Sequence, residues 1–279
     1  MIQTVSPAQL AAYFDRIGYT GPHEASGETL RALHRLHPQA IPFENIDTLL
    51  GLTPRLDLES VFAKLVSARR GGYCFEHNLL FRAVLETIGF ETTGLAARVL
   101  WADPDAMLPR THMMLLVETP DETWLADVGF GSMTLTAPLV FDNGREQATP
   151  HETFRLDLIE HGDFKLLVKL GDTWKPIYRF DLEPQVPADY AMANQYVSTF
   201  PDSVFVKHLI VARVVPGQRR TLFDRTLTRR GTAEEHRELA SVAEMRGVLE
   251  DTFGLALPAD AKVENVLERL VAQSASAAT

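Results

Sequence analysis

Cys74 is the only cysteine in the chain, and it stands in Arg69-Arg70-Gly71-Gly72-Tyr73-Cys74-Phe75-Glu76-His77-Asn78, where a helix is expected to begin. A lone thiol forms no internal disulfide and supplies no cysteine-rich metal site. Two roles remain, a small buried hydrophobe or a nucleophile. The flanking residues suit the second. Two glycines permit a sharp turn, and a helix that starts at the cysteine aims its first N–H groups and positive dipole end at the sulfur. That setting favours the thiolate, the form that attacks a carbonyl carbon.

A nucleophile needs a base and a group to orient it, and nine histidines compete for the first role. The best placed comes from a hairpin spanning Thr111 to Val128, with Thr119-Pro120-Asp121-Glu122 at its turn. Pairing Glu118 with Thr123 sets Met114 opposite Asp127 and His112 diagonal to it. Strand side chains alternate, so His112, Met114 and Asp127 share one face, and diagonal partners lie within reach of a His–Asp hydrogen bond. A slip of one residue would separate them. Asp127 sits in an apolar run, Trp124-Leu125-Ala126-Asp127-Val128, and a buried carboxylate needs a partner. The pair is either catalytic or a structural pin for the hairpin. His77, one turn beyond Cys74, is the rival base; it lacks a visible orienting partner and reads as a solvated or supporting side chain. His34 and His37 have helical spacing but no third ligand, and are expected at the surface. No HExxH pattern occurs.

These residues must be positioned by a chain of 279 residues, enough for two or three small domains. With 46% hydrophobic and 23% charged residues it is an ordinary globular sequence. A net charge of -10 argues against a general nucleic-acid binder. Met1 to Ser6 shows no secretory signal, and no apolar run approaches the roughly 20 residues needed to cross a bilayer. Together with the free thiol, this points to the cytoplasm. Three zones follow. Residues 1–90 read as helical: Ser6-Pro7-Ala8-Gln9 is a capping box with proline at the first helical position, Leu30, Leu33 and Leu36 form a stripe that Pro38 is expected to break, and a further helix runs from Cys74 toward Gly89. Residues 91–199 switch to short strand-like runs separated by turns, a pattern for a small barrel or sandwich. From residue 200, a hairpin pairs Lys207 to Val215 with Arg220 to Thr228. Thr232-Ala233-Glu234-Glu235 reads as a capping box opening the final helices. The tail Ser274 to Thr279 is expected to be disordered.

The motifs, in order, resemble those of the arylamine N-acetyltransferases. Ile41-Pro42-Phe43-Glu44-Asn45 is similar to that family's early motif, and Arg70-Gly71-Gly72-Tyr73-Cys74-Phe75-Glu76 to its nucleophile motif. Arg98-Val99, Thr111-His112-Met113, Trp124 to Gly131, Glu183-Pro184-Gln185 and Asn194 to Thr199 follow in sequence. The resemblance implies an α+β fold of helical bundle (1–90), antiparallel β-barrel (91–199) and α/β lid (200–279), with a cysteine-protease-like triad at Cys74, His112 and Asp127. The independent hairpin argument picks the same His–Asp pair.

The resemblance further implies acetyl-coenzyme A as co-substrate, no metal, and ping-pong acetyl transfer to arylamines, hydrazines or hydroxylamines. It implies neither nucleic-acid nor membrane partners; a homodimer stays open. It sets Phe43, Val99, Thr111, Phe130, Gly131 and Phe205 around the substrates, although each phenylalanine could equally be core. Gly129 and Gly131 are placed to let the cofactor approach the backbone. Arg219, Arg220, Arg225, Arg229 and Arg230 are either a contact for coenzyme A phosphates or a solvated strand face. The same triad would also serve a cysteine hydrolase or transglutaminase-like enzyme, and within the family another acyl-coenzyme A donor or amide synthesis stays open.

Overall fold

The structure, a computed structural model, describes residues 4–105, 107–257 and 260–273. The tail Ser274 to Thr279 and the first three residues lie outside the described residues. The first helix, Pro7–Ile17, begins as the sequence predicts: the Ser6 side chain accepts from the Gln9 N–H while the Gln9 side chain accepts from the Ser6 N–H. The second, Gly27–Ala40, does not stop at Pro38 but carries it inside its last turn. The missing proline N–H removes one rung only, and the Ile41 N–H still closes on the His37 carbonyl at 2.8 Å. The Cys74–Thr87 helix packs between these and the barrel.

The strands in chain order are β1 (Phe43–Glu44), β2 (Glu91–Val99), β3 (His112–Glu118), β4 (Thr123–Ala126), β5 (Leu139–Val140), β6 (Gln147–Ala148), β7 (Thr153–Leu158), β8 (Phe164–Leu170), β9 (Thr173–Phe180), β10 (Ile210–Val215), β11 (Gln218–Phe223), β12 (Thr226–Arg230) and β13 (Glu234–Glu238). Eight of them form an antiparallel sheet in the order β5-β4-β3-β2-β9-β8-β7-β6. Its two edges meet through one side chain. The Gln147 amide on β6 donates to the Val140 carbonyl and accepts the Val140 N–H on β5, both at 2.8 Å. A primary amide has the donor and acceptor of a peptide group, so the glutamine stands in for a strand residue and nearly closes the barrel. The Pro187–Thr199 helix then leads to the second sheet, β1-β10-β11-β12-β13.

Two elements of the C-terminal part differ from expectation. The run Arg220 to Thr228 is two strands, not one, because Asp224 takes a positive φ of 49° and turns the chain into β12. Glu234–Glu238 is strand β13 rather than the start of a helix. Its glutamates Glu234 and Glu235 face Arg230 and Arg229 across the ladder, and opposite charges directly across a pair favour that register. The helix cap the sequence does contain lies later, where the Ser241 hydroxyl accepts from the Glu244 N–H.

Three apolar cores form among the described residues. One fills the helical bundle and takes Met113, Leu115 and Val117 from one face of β3. Another fills the barrel and takes Met114 from the other face. The third lies under the second sheet and the C-terminal helices. Strand β3 therefore separates two cores, and His112 stands at its first residue, on the seam between them.

Candidate active site

The turn before Cys74 is held by a chain of buried charges. Arg70 donates to Glu44 at 2.7 Å and to Asp47 at 2.8 Å; Lys64 bridges Asp47 at 2.7 Å and Glu76 at 2.8 Å. The other Glu76 oxygen accepts the Tyr73 N–H at 3.0 Å, capping the helix one residue before the cysteine. Gly71 is required by contact: a Cβ there would lie 2.1 Å from the Pro42 carbonyl oxygen. The turn thus wedges against the strap Pro42–Glu44, and Cys74 emerges at the helix N-terminus, 3% exposed. Its thiol points at the barrel, donating to the Thr111 carbonyl at 3.6 Å.

The hairpin β3–β4 has the register that the turn dictates, with Glu118 opposite Thr123 and Leu115 opposite Ala126. Asp127 lies one residue past β4, and its Oδ2 sits 2.7 Å from His112 Nε2. The other imidazole nitrogen is left for Cys74. Burial opposes charge on His112, but the Asp127 carboxylate and its hydrogen bond, with Cys74 adding to them, hold the imidazole well above its ordinary pKa. Burial would raise the Asp127 carboxyl; the charge of His112, then hydrogen bonds from His112, Gly129 and Asn78, take it below the usual range. The protonated pair is the resting state this geometry favours.

Asn78, one turn after the cysteine, was not among the residues picked out from the sequence. Its amide reaches Asp127 Oδ1 at 3.2 Å, the Met113 carbonyl at 2.8 Å and the Cys74 carbonyl at 3.2 Å, and accepts the Val128 N–H at 3.2 Å. It stitches the Cys74–Thr87 helix to both arms of the hairpin, and its spacing of four from Cys74 was the available signal. Tyr178 also went unnoticed. Its ring packs 5.1 Å from His112, and burial together with the Asp127 charge pushes its phenol far up. His77 is neither solvated nor a base for Cys74. It is buried, with Nε2 3.2 Å from the Pro42 carbonyl and Nδ1 2.9 Å from His37. His34 and His37, expected at the surface, are 0% exposed. They continue the apolar stripe of Leu30 and Leu33 inward.

The residues expected around the substrates fall into two groups. Phe130 packs edge-on against His112 at 5.1 Å, and Thr111 supplies the carbonyl facing the sulfur. Val99 lies on the same face of β2 as Ala97, which pairs with His112. In the second group, Phe43 packs 6.1 Å from Phe205, and Gly131 abuts the Phe43 ring. Asn45 fixes Phe205 by donating to the Phe205 and His208 carbonyls, each at 2.8 Å.

Gly129 answers to the protein rather than to a ligand. A Cβ there would lie 2.9 Å from Cys74 Cα and 2.8 Å from the Asn78 amide. Gly129→Ala is therefore expected to push the Cys74–Thr87 helix off the hairpin and lower catalytic turnover about 100-fold. Far-ultraviolet dichroism and steady-state rates on the purified variant check this; wild-type turnover would show that the approach is dispensable.

The basic stretch divides by strand face. Arg219 and Arg230 are cross-strand partners, as are Arg220 and Arg229. Arg219 is buried against Glu152 at 2.6 Å and Arg230 meets Glu234 at 2.5 Å. Both line a cleft of about 200 Å³ with Trp101, Ser132, Thr221, Thr228, Glu234 and His236. Trp101 follows shortly after β2 and Ser132 shortly after Phe130, so two cleft walls are continuous with segments that pack against His112.

A sequence model of the family described as N-acetyltransferase matches residues 27–262. An arylamine N-acetyltransferase of Escherichia coli (strain K12) is 45% identical over 253 residues, which is 90% of this chain and 89% of that one. The solved structure of the Mycobacterium marinum arylamine N-acetyltransferase superposes with a TM-score of 0.90 at 36% identity, covering 94% of this chain and 99% of that one. The same Mycobacterium marinum protein solved in complex with CoA gives 0.88 at 37% identity, covering 94% and 98%. A match of this depth along nearly the whole chain, in sequence and in fold, makes the protein a member of the arylamine N-acetyltransferase family and hence an acyltransferase.

Proposed function

We propose that this enzyme transfers an acetyl group from acetyl-coenzyme A to aromatic amines, hydrazines or hydroxylamines by a ping-pong route through acetyl-Cys74, with His112 and Asp127 completing the triad. The observation that carries this reading is the buried His112–Asp127 pair, 2.7 Å apart, set beside the one cysteine at a helix N-terminus. The thiolate of Cys74 attacks the acetyl carbon and the thioester bond to coenzyme A breaks. The departing thiolate takes the proton from the His112 imidazolium. One thioester replaces another, so this half-reaction is near isoenergetic. N–H groups of the first helical turn, which lack intrahelical partners, are placed to hold the oxyanion. In the second half the amine attacks acetyl-Cys74, neutral His112 takes its proton, and the thiolate leaves. An aromatic amine is neutral near pH 7 and nucleophilic; an aliphatic amine arrives protonated.

Water is the competing acceptor, and the apolar surround of Phe43, Phe130 and Phe205 excludes it. Val99, Thr111 and Gly131 line the remaining wall in this reading. The cleft bearing Arg219 and Arg230 receives part of the donor's phosphates, supported by its two guanidiniums, each now shared with a glutamate, and by its continuity with the segments around His112. The CoA complex of the Mycobacterium marinum relative supports this class of donor. A reducing compartment such as the cytoplasm suits the obligatory free thiol.

Incubation with acetyl-coenzyme A alone is expected to add one acetyl group, located by peptide mass spectrometry on the fragment containing Cys74. Initial rates at several donor concentrations should give parallel double-reciprocal lines. Intersecting lines with no acylated enzyme would mean a ternary complex and end the ping-pong reading.

A further inference from the structure

The reaction as written leaves His34 without a role, although it lies wholly inside the protein against the triad. It sits on the Gly27–Ala40 helix with its ring edge-on to Phe81 at 5.8 Å. Its Nε2 accepts the main-chain N–H of Asp127 at 3.1 Å, a contact between residues 93 apart in sequence. An acceptor nitrogen carries no proton, so the proton of the neutral ring is on Nδ1. That N–H is buried and, among the described residues, finds no partner outside its own residue. Pro38, four residues on, offers no N–H to the His34 carbonyl, and this carbonyl is the backbone group that acts on the ring. A buried donor left with nothing but its own main-chain carbonyl is destabilising, and leucine or phenylalanine would fill the volume without it.

What histidine supplies in exchange is a lone pair aimed at one peptide. β4 ends at Ala126, so the Asp127 N–H has no partner in the ladder. The plane of that peptide sets where the carboxylate points. The carboxylate itself meets His112 at 2.7 Å on one oxygen, and the Gly129 N–H at 3.0 Å and Asn78 at 3.2 Å on the other. A carboxylate at position 34 would accept the same N–H but set a second negative charge beside Asp127. Imidazole is the acceptor that can stay uncharged there: burial takes its pKa down to about 4, against the pull of Asp127.

We infer that His34 is a positioning residue for the triad, a neutral acceptor that orients the Asp127 peptide so that its carboxylate meets His112. The inference rests on the proposed triad. It makes the helical bundle contribute to catalysis twice, once through Cys74 and once through the strand that faces it.

The test compares His34→Leu, which removes the acceptor, with His34→Gln, whose amide oxygen can replace it. Three quantities are read: the pH profile of iodoacetamide alkylation at Cys74, the acylation rate with acetyl-coenzyme A, and the melting temperature. His34→Leu is expected to move the alkylation midpoint upward and slow acylation about tenfold at unchanged KM for the donor. His34→Gln should recover most of both. If His34→Leu does not fold, His34→Met keeps similar volume without a comparable acceptor. A folded Leu or Met variant with wild-type profile and acylation rate overturns the assignment, even if it melts earlier. Equal losses in His34→Gln and His34→Leu overturn it as well. The triad reading fails separately, and only if transfer survives without Cys74.

Discussion

Replacing Cys74 by serine is expected to lower acetyl transfer by at least about 10⁴-fold while the protein stays folded. The size of the loss comes from proton placement rather than from size, since the two side chains differ little in volume. Asp127 holds His112 well above its ordinary pKa, so near neutral pH the imidazole already carries its proton. It can sit beside a thiolate, but it cannot accept a proton from a serine hydroxyl until it has first lost its own. In the proposed reading the nucleophile acts as a thiolate beside the imidazolium, and an alcohol cannot take that place at this pH. Single-turnover mixing with acetyl-coenzyme A, with circular dichroism as the folding control, reads the result. Residual transfer above about one part in a hundred would mean that the nucleophile lies elsewhere. Asp127→Asn should act in the opposite sense on the imidazole: without the carboxylate His112 releases its proton more readily, and the acid limb of cysteine alkylation moves upward.

The β3–β4 hairpin was legible because its geometry is local. Glu118 and Thr123 flank a four-residue turn, and once they pair, alternation alone carries His112 and Asp127 to one face. The first helix was legible for the same reason, its cap being written in four consecutive residues. What stayed hidden depends on partners distant in sequence. Thr232-Ala233-Glu234-Glu235 has the composition of a helix start, and only the arginines of β12 across the ladder make it a strand. Strand β9 contains Pro176, which argues against a strand; a register shift between Leu166 and Leu167 in β8 accommodates it. His34 and His37 fell on the buried stripe of their helix, but a polar residue there signals burial only if a partner is known. Those partners, Asp127 and His77, lie 93 and 40 residues away. Tyr178 and Asn78 touch the site through the same long-range closure.

The same buried histidines set the second large expectation, a loss of stability in mild acid. Their proton positions follow from one group that can only accept. The Pro42 carbonyl takes the His77 Nε2–H; His77 Nδ1 then takes the His37 Nε2–H, and His37 Nδ1 takes the Tyr13 hydroxyl proton at 2.8 Å. Each ring is neutral, and a further proton on His37 or His77 would remove an acceptor. Burial lowers His34 and His77 to about 4, and burial, with the nearby His77 and His34 rings and the Arg16 guanidinium adding to it, takes His37 well below its ordinary value. In the unfolded chain all three titrate near 6.5. Below that pH the unfolded state binds more protons, so stability falls as pH falls, and it continues to fall until the folded rings titrate. His112 has the opposite sign: its folded pKa is raised, so its contribution is complete below 6.5 and declines as pH rises above it. Between pH 7.5 and 5.5 it offsets one histidine's share, leaving a net loss of about 3 kcal/mol. Below 5.5 that offset is exhausted and the loss steepens to about 4 kcal/mol per pH unit. By pH 5 the loss reaches about 5 kcal/mol, a third or more of a total stability of about 5–15 kcal/mol, and it comes before low-pKa carboxylates such as Asp127 begin to protonate. Urea titrations at pH 7.5, 6.5, 5.5 and 5.0 measure the slope directly. A free energy of unfolding that stays level across that range would mean the three rings are not held neutral inside the fold.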